Sequence, residues 1–215
     1  MSGIELLVYV FLCLSCALML WHALGVMIRT HHTVGQEDGL LVEPVPESAW
    51  HGLYQSRLWR EDEWARANGF QRAGACVFMD RLGVFWQRDE GHEMLLARFC
   101  ESGVVHERIT IIDSATSITS SDRDELLAMP RPPRRIFEAR RYHSLDQLEA
   151  GHLLLVQTQV AQRRWIPGQL PLTTIGLFQH MLNERIEHVR AIPFYPLRAV
   201  LWSFAALSST PRPAE

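Results

Sequence analysis

The chain has no lysine; all 21 of its basic residues are arginine. A P-loop, a Schiff-base centre and a Ser-Lys dyad are thereby excluded, because each depends on an ammonium group. Cysteine is scarce as well: Cys13, Cys16, Cys76 and Cys100 follow no regular spacing and indicate no disulfide framework. No G-x-G-x-x-G, G-x-S-x-G, H-E-x-x-H or EF-hand loop occurs, which lowers the expectation of an enzyme. With 47% hydrophobic and 21% charged residues over 215 positions, disordered, collagenous and low-complexity classes are excluded, and one ordinary domain fits. A net charge of −3 argues against nucleic acid as a partner.

What the chain does have is one long apolar run. Leu6–Ile28 is 23 residues interrupted only by Ser15, His22 and small residues. As a helix it would span about 34 Å, enough to cross a hydrocarbon core of about 30 Å. A signal peptide wants a basic start and a shorter apolar core, whereas this run follows Glu5 and is long. Cys16 has Cys13 where a lipobox carries leucine, which argues against lipoprotein processing. Residues 1–29 therefore read as an uncleaved, single-pass membrane anchor. Arg29 is the basic residue next to the run and favours a cytoplasmic rather than periplasmic domain. Cys13 and Cys16 share a helix face, but a redox or soft-metal site would need further ligands; small apolar residues tolerated in a span are the simpler reading. His22 sits by Trp21 near the far interface.

Residues 30–56 carry Glu37, Asp38, Glu43 and Glu47 with no lysine or arginine, and read as an acidic tether stiffened by Pro44 and Pro46. His31-His32 at its start lacks the further ligands a metal needs. The domain is expected over 57–192. Helical character from Arg57 ends at Asn68-Gly69, both tolerant of the left-handed conformation. Ala75–Met79, Val84–Arg88, Met94–Cys100, Val105–Ile112 and Thr116–Ser120 are strand candidates. Their separators, 80–83, 89–92 and 101–103, are hairpin-sized and contain glycine, which predicts an antiparallel meander. Met129-Pro130-Arg131-Pro132-Pro133 is an extended break. A capping box at Ser144 and Gln147 predicts a helix from Leu145 to about Ala161. Ile175, Phe178, Leu182, Ile186 and Val189 form the stripe of a second helix, with Thr174 as its cap. Residues 193–215 are a tail whose segment Leu197–Leu207 is too short to span a bilayer and packs on the domain or at an interface. The fold class is α+β: one transmembrane helix, then a meander of about four or five strands packed with helices.

The order of a helix ending Asn68-Gly69-Phe70, a hairpin meander, Thr119-Ser120-Ser121, a proline-rich break and a helix carrying His152 resembles uncharacterised membrane-anchored α+β proteins of bacteria. It covers about residues 59–162. The resemblance implies that architecture and a bacterial origin, and it assigns no catalytic residue.

Chemistry has few places to reside. His180, Glu184 and His188 fall on one helix face and suit a zinc-like ion with an open position; a solvated polar face has the same pattern. Asp113, Ser114, Thr116, Ser117, Thr119, Ser120, Ser121, Asp122 and Asp124 form an oxygen-rich stretch, read as a polar strand edge before an Asp-capped helix, or as a site for a hard cation or sugar. His143 and His152 flank the capping box, with Asp146 or Glu149 able to orient them, but no nucleophile stands beside them. Arg131, Arg134, Arg135, Arg140 and Arg141 oppose only Glu138, so an anionic lipid or acidic protein partner is conceivable there, as is a merely solvated loop. Pro130-x-x-Pro133 is a weak docking pattern. The leading expectation is a membrane-anchored binding or scaffolding module without a cofactor. The alternative is a membrane-tethered metal-dependent hydrolase centred on His180, Glu184 and His188.

Overall fold

The computed structural model describes residues 3–35, 42–78, 81–100, 103–122, 130–163 and 173–208. The apolar run forms helix α1 (Gly3–Gly35), 33 residues and about 50 Å long. It is long and apolar enough to cross a membrane. Most of its large side chains between Ile4 and Ile28 are exposed, while Val26, Thr30 and Val34, spaced by four, make one buried stripe.

The five expected strands are all present, as β2 (Gln71–Phe78), β3 (Arg81–Arg88), β4 (Glu93–Cys100), β5 (Gly103–Asp113) and β6 (Thr116–Ser121), preceded by β1 (Glu43–Pro44) and followed by β7 (Arg135–Ala139). They form one seven-stranded sheet in sequence order. Pairing is antiparallel from β1 to β6, as hairpin-length connections require, but β7 lies parallel to β6 and makes the sheet mixed. Arg81–Gly83, expected in a turn, open β3. The turn at 89–91 holds Asp89 and Gly91 at φ 52° and 91°, which lets the next strand return at once.

The stretch read as a tether is partly built into the sheet. The Val45 N–H donates to the Ala75 carbonyl at 2.9 Å, and the Val42 N–H donates to Gln179 Oε1 at 2.7 Å. Val42 is buried beside Phe178, so two valines flanking Glu43-Pro44 are enough to dock this segment on β2. Helix α2 (Glu47–Ala67) then starts directly after Pro46, well before Arg57.

Both sheet faces are covered, which explains why Met94–Cys100 is apolar on both. On one face, α2 and α3 (Leu145–Arg163) lie over Val84, Trp86, Leu95 and Ala97, with Leu58, Ala65 and Phe70 filling the space. On the other, α4 (Thr174–Arg190) sets Phe178 edge-on to Phe78 and Phe85, at 5.0 and 5.1 Å between ring centroids. Helix α3 starts at its capping box: the Gln147 N–H donates to Ser144 Oγ, and Gln147 Oε1 accepts from the His143 N–H. The cap of α4 is Thr173, whose hydroxyl accepts from the Gly176 N–H, rather than Thr174, whose hydroxyl donates to Gln87. Phe194, at φ 56°, turns the chain into α5 (Tyr195–Ser208), which packs along α1.

Candidate functional site

A cleft lies between α4 and the β5–β7 half of its sheet face. Strand alternation decides its floor: Glu107 and Ile109, Ser117 and Thr119, and Arg135 and Phe137 turn to the same side. From α4, Met181, Leu182 and Arg185 form the roof, and Arg131 and Pro132 close the rim. Phe178 and Leu182 fill the space over β2–β4, whereas the small residues of β6 leave a cavity of about 60 Å³. That volume has room for a few water molecules and is smaller than an ordinary small-ligand site.

Polar groups converge on this apolar space. Arg135 is almost wholly buried; its Nε and Nη2 donate to Glu184 Oε2 at 2.9 and 2.6 Å, and Nη2 also donates to the Ser114 carbonyl. Its Nη1 has no hydrogen-bond partner among the described residues, and neither has the buried hydroxyl of Ser117. Deeper in, Arg98 and Glu107 form a buried ion pair at 2.5 Å. Glu107 and Glu184 are thus each paired with a buried arginine at the cleft, which Arg131 and Arg185 also line.

The five arginines of the basic stretch are divided up by the fold. Arg134 pairs with Asp113 at 2.8 Å, Arg140 with Glu138 at 2.6 Å, and Arg135 with Glu184. Arg131 lies over the Phe137 ring, 3.5 Å from its centroid, and Arg141 is exposed. Asp113 and Glu184 are distant in sequence, so counting charge along the chain overstated the patch. Burial pushes the Asp113 carboxyl up, but hydrogen bonds from Ala115 and Thr116 and the Arg134 charge hold it below the usual range.

His180, Glu184 and His188 do share α4, yet Glu184 is bound to Arg135, His180 is exposed and His188 is half-buried. Among the described residues, no three His, Cys, Asp or Glu side chains converge to hold a metal ion. His143 is exposed, and His152 lies on the opposite sheet face from α4, so neither joins that set.

That opposite face holds His152 and Glu149, which the sequence reading singled out, together with Arg88, His106 and Arg108, which it passed over. Fully buried His152 has Nε2 2.8 Å from Thr110 Oγ1 and Nδ1 3.0 Å from Ser120 Oγ. Burial, helped by the Arg108 charge, pushes its pKa down to about 3, so the ring is neutral. His106 Nε2 is 3.0 Å from Glu61 Oε1, and Nδ1 is 3.3 Å from Asp122 Oδ2. Burial works against its charge, but the two carboxylates prevail and raise it to about 9. Arg88 and Arg108 both bind Glu93 and Glu149 and lie over the Phe70 ring at 4.4 and 4.7 Å. The period-two alternation of His106, Arg108 and Thr110 with Ile109 and Ile111 was the available signal. His106, Arg88 and Arg108 are thus paired with carboxylates beneath α2 and α3, and Glu61 Oε2 has no partner among the described residues.

The oxygen-rich stretch is β6, a buried strand between β5 and β7 rather than an edge. Its flanks are turn and partner residues: Asp113 accepts from the Ala115 N–H, and Asp122 holds His106, while Asp124 lies outside the described residues. Cys13 and Cys16 are free and exposed on α1. No protein-family model, curated protein or solved structure matches the chain, so the candidate site stands on its own geometry.

Proposed function

We propose that the chain is a single-pass membrane protein whose α+β domain is a binding module, held against the bilayer by α1 and α5, with the cleft under α4 as its site. The observation that carries this reading is the seam between α1 and the domain. Val34 is fully buried with Ile186 and Val189, the Arg190 guanidinium donates to the Val34 carbonyl at 2.5 Å, and Tyr195 Oη lies 3.4 Å from His31 Nδ1. A signal sequence is removed, and nothing selects for its close packing on the mature domain. Helix α5, 14 residues and about 21 Å, is too short to cross. It packs on α1, with Tyr195 and Trp202 against the Val34 cluster, and Leu197 and Leu201 are exposed, as are Leu24 and Ile28 of α1. Arg29, next to the apolar run, favours the cytoplasmic side for the domain.

Binding is favoured over catalysis because His106, Arg88 and Arg108 of the α2–α3 face are held by carboxylates, whereas Ser117 Oγ and Arg135 Nη1 at the cleft have no partner among the described residues. The full-length protein is expected to remain with membranes after alkaline carbonate extraction and to keep its N-terminal residues, as read by N-terminal sequencing. Release into the soluble fraction, or a mature N-terminus beyond residue 20, would contradict it.

A further inference from the structure

We infer that β7 is a self-association edge: two copies of the chain in one bilayer pair their β7 strands antiparallel, centred on Phe137, and join their sheets. The inference uses the membrane anchor of the reading above and does not depend on the cleft. Strand alternation decides which backbone groups are on offer. The Ser117 N–H donates to the Arg134 carbonyl at 3.2 Å and the Arg140 N–H to the Ser121 carbonyl at 3.0 Å, so residues 134, 136, 138 and 140 bond inward to β6. Arg135, Phe137 and Ala139 therefore turn their backbone groups outward, at the end of the sheet. The Arg135 N–H is taken up locally by the Pro132 carbonyl at 2.9 Å. The Arg135 carbonyl, both groups of Phe137 and the Ala139 N–H bond to no described residue. The opposite edge of the sheet is guarded. There β1 is two residues long, and because the Val45 N–H faces β2, its outward residue is Pro44, which has no N–H to donate.

The donors and acceptors of β7 choose a second β7 as their partner. With Phe137 opposite Phe137, each Phe137 N–H meets the other copy's Phe137 carbonyl, and each Ala139 N–H meets the other copy's Arg135 carbonyl. A shift that sets Arg135 opposite Phe137 points the Phe137 carbonyl at an N–H already spent on Pro132. The opposite shift sets Glu138 against Glu138. The Phe137-centred register also lays the two phenyl rings side by side and places Arg135 opposite the small Ala139. At its ends Arg134 stands opposite Arg140, each already holding a carboxylate, Asp113 and Glu138 respectively. The two-fold axis of an antiparallel strand pair runs perpendicular to the sheet, so both copies carry α4 on the same side of the joined sheet. Val34 of α1 packs on Ile186 and Val189 of α4, so both anchors join the domains on that one side, as two anchors in one bilayer require. Two five-residue strands bury less than the roughly 800 Å² per partner of a stable soluble interface, so confinement in the bilayer supplies the effective concentration.

The test reconstitutes full-length protein, labelled at its C-terminus with a donor or an acceptor fluorophore, in phosphatidylcholine vesicles at falling protein density. Energy transfer above that of randomly mixed chains is expected, declining as the protein is diluted in lipid. Ala139→Pro removes one outward N–H per copy and leaves the bonds to β6 in place. It should weaken association by about tenfold or more with the unfolding midpoint unchanged. Cross-linking reads the register independently of that variant. In a chain carrying Cys13→Ala, Cys16→Ala and Cys100→Ala, Phe137→Cys should give a disulfide-linked dimer on mild oxidation, because directly opposed residues lie within disulfide reach. Glu138→Cys, displaced along the strand from its counterpart, should link more slowly by about tenfold or more. Vesicle-retained protein with energy transfer at the random level overturns the inference while leaving the membrane anchor intact. Transfer unchanged by Ala139→Pro, or Glu138→Cys linking as fast as Phe137→Cys, also overturns it.

Discussion

Replacing Glu149 with alanine is expected to destabilise the domain by about 3–5 kcal/mol, the cost of leaving a buried charge without its partner. Arg108 is only 1% exposed, and its Nη1 donates to the Met94 carbonyl at 2.9 Å. Glu149, carried on α3, accepts from Arg108 and from Arg88, with Arg88 Nη2 at 2.8 Å. Burial raises the Glu149 carboxyl, but the two guanidinium groups outweigh it and hold the pKa below the usual range. Without Glu149, both arginines share Glu93, and Arg108 has no water to replace what it lost. The loss is a large fraction of the total stability of about 5–15 kcal/mol typical of a domain. Denaturant unfolding should show the midpoint falling with an unchanged slope. Arg134→Ala, which breaks the exposed pair with Asp113, serves as the control and should shift stability by no more than about 1 kcal/mol. Equal effects of the two substitutions would show that the buried network does not seat α3 on the sheet.

The second large effect is a stability maximum near neutral pH, produced by two histidines on one side of the sheet, His106 on β5 and His152 on α3. His152 titrates at about 3 in the folded state, below its ordinary value of 6.5. The unfolded chain therefore binds the extra proton between those values, and stability falls as the pH drops from about 6.5 toward 3. His106 titrates at about 9, above the same ordinary value. Its contribution is complete below about 6.5 and is lost as the pH rises through 9. Each limb is on the order of 3 kcal/mol. Unfolding free energies measured from pH 4 to 9 should rise and then fall. His152→Leu should flatten the acid limb between pH 6.5 and 4.5, above the range where Glu149 titrates, and His106→Asn should flatten the alkaline limb. The slopes carry the test, because both substitutions also change the height of the curve. Unaltered slopes in both variants would remove the histidines from the account of pH dependence.

Much of this fold was legible because local rules govern it. The five central strands are apolar runs between glycine-containing turns, and α3 and α4 announce themselves by a capping box and a stripe. The edges were not legible. Glu43-Pro44 has no period of its own and becomes β1 only because β2 offers a free edge. Arg135–Ala139 begins in a run of arginines, and its pairing with β6 is parallel and non-local. The buried polar face on β5 was hidden for a related reason. Polar residues alternating with isoleucine ordinarily face water, whereas here they meet Glu149 and His152 from a helix about forty residues later. At the candidate site, Arg135 was singled out for its sequence neighbours, Arg134 and Arg140. Its true neighbours are Glu184 and Ser117, which only the sheet register and the docking of α4 bring together.

The seating of α1 and α5 in one bilayer leaflet is tested most directly by nitroxide labels in full-length protein reconstituted into phosphatidylcholine vesicles. One label replaces Leu24 on α1, one Leu201 on α5, and one exposed Thr158 on α3. Collision with oxygen reports lipid, and collision with a water-soluble nickel complex reports solvent. Labels at Leu24 and Leu201 are both expected to favour oxygen, and the label at Thr158 nickel. A Leu201 label as open to nickel as the one at Thr158 would contradict the placement of α5, and a Leu24 label that favoured nickel would contradict the membrane anchor itself.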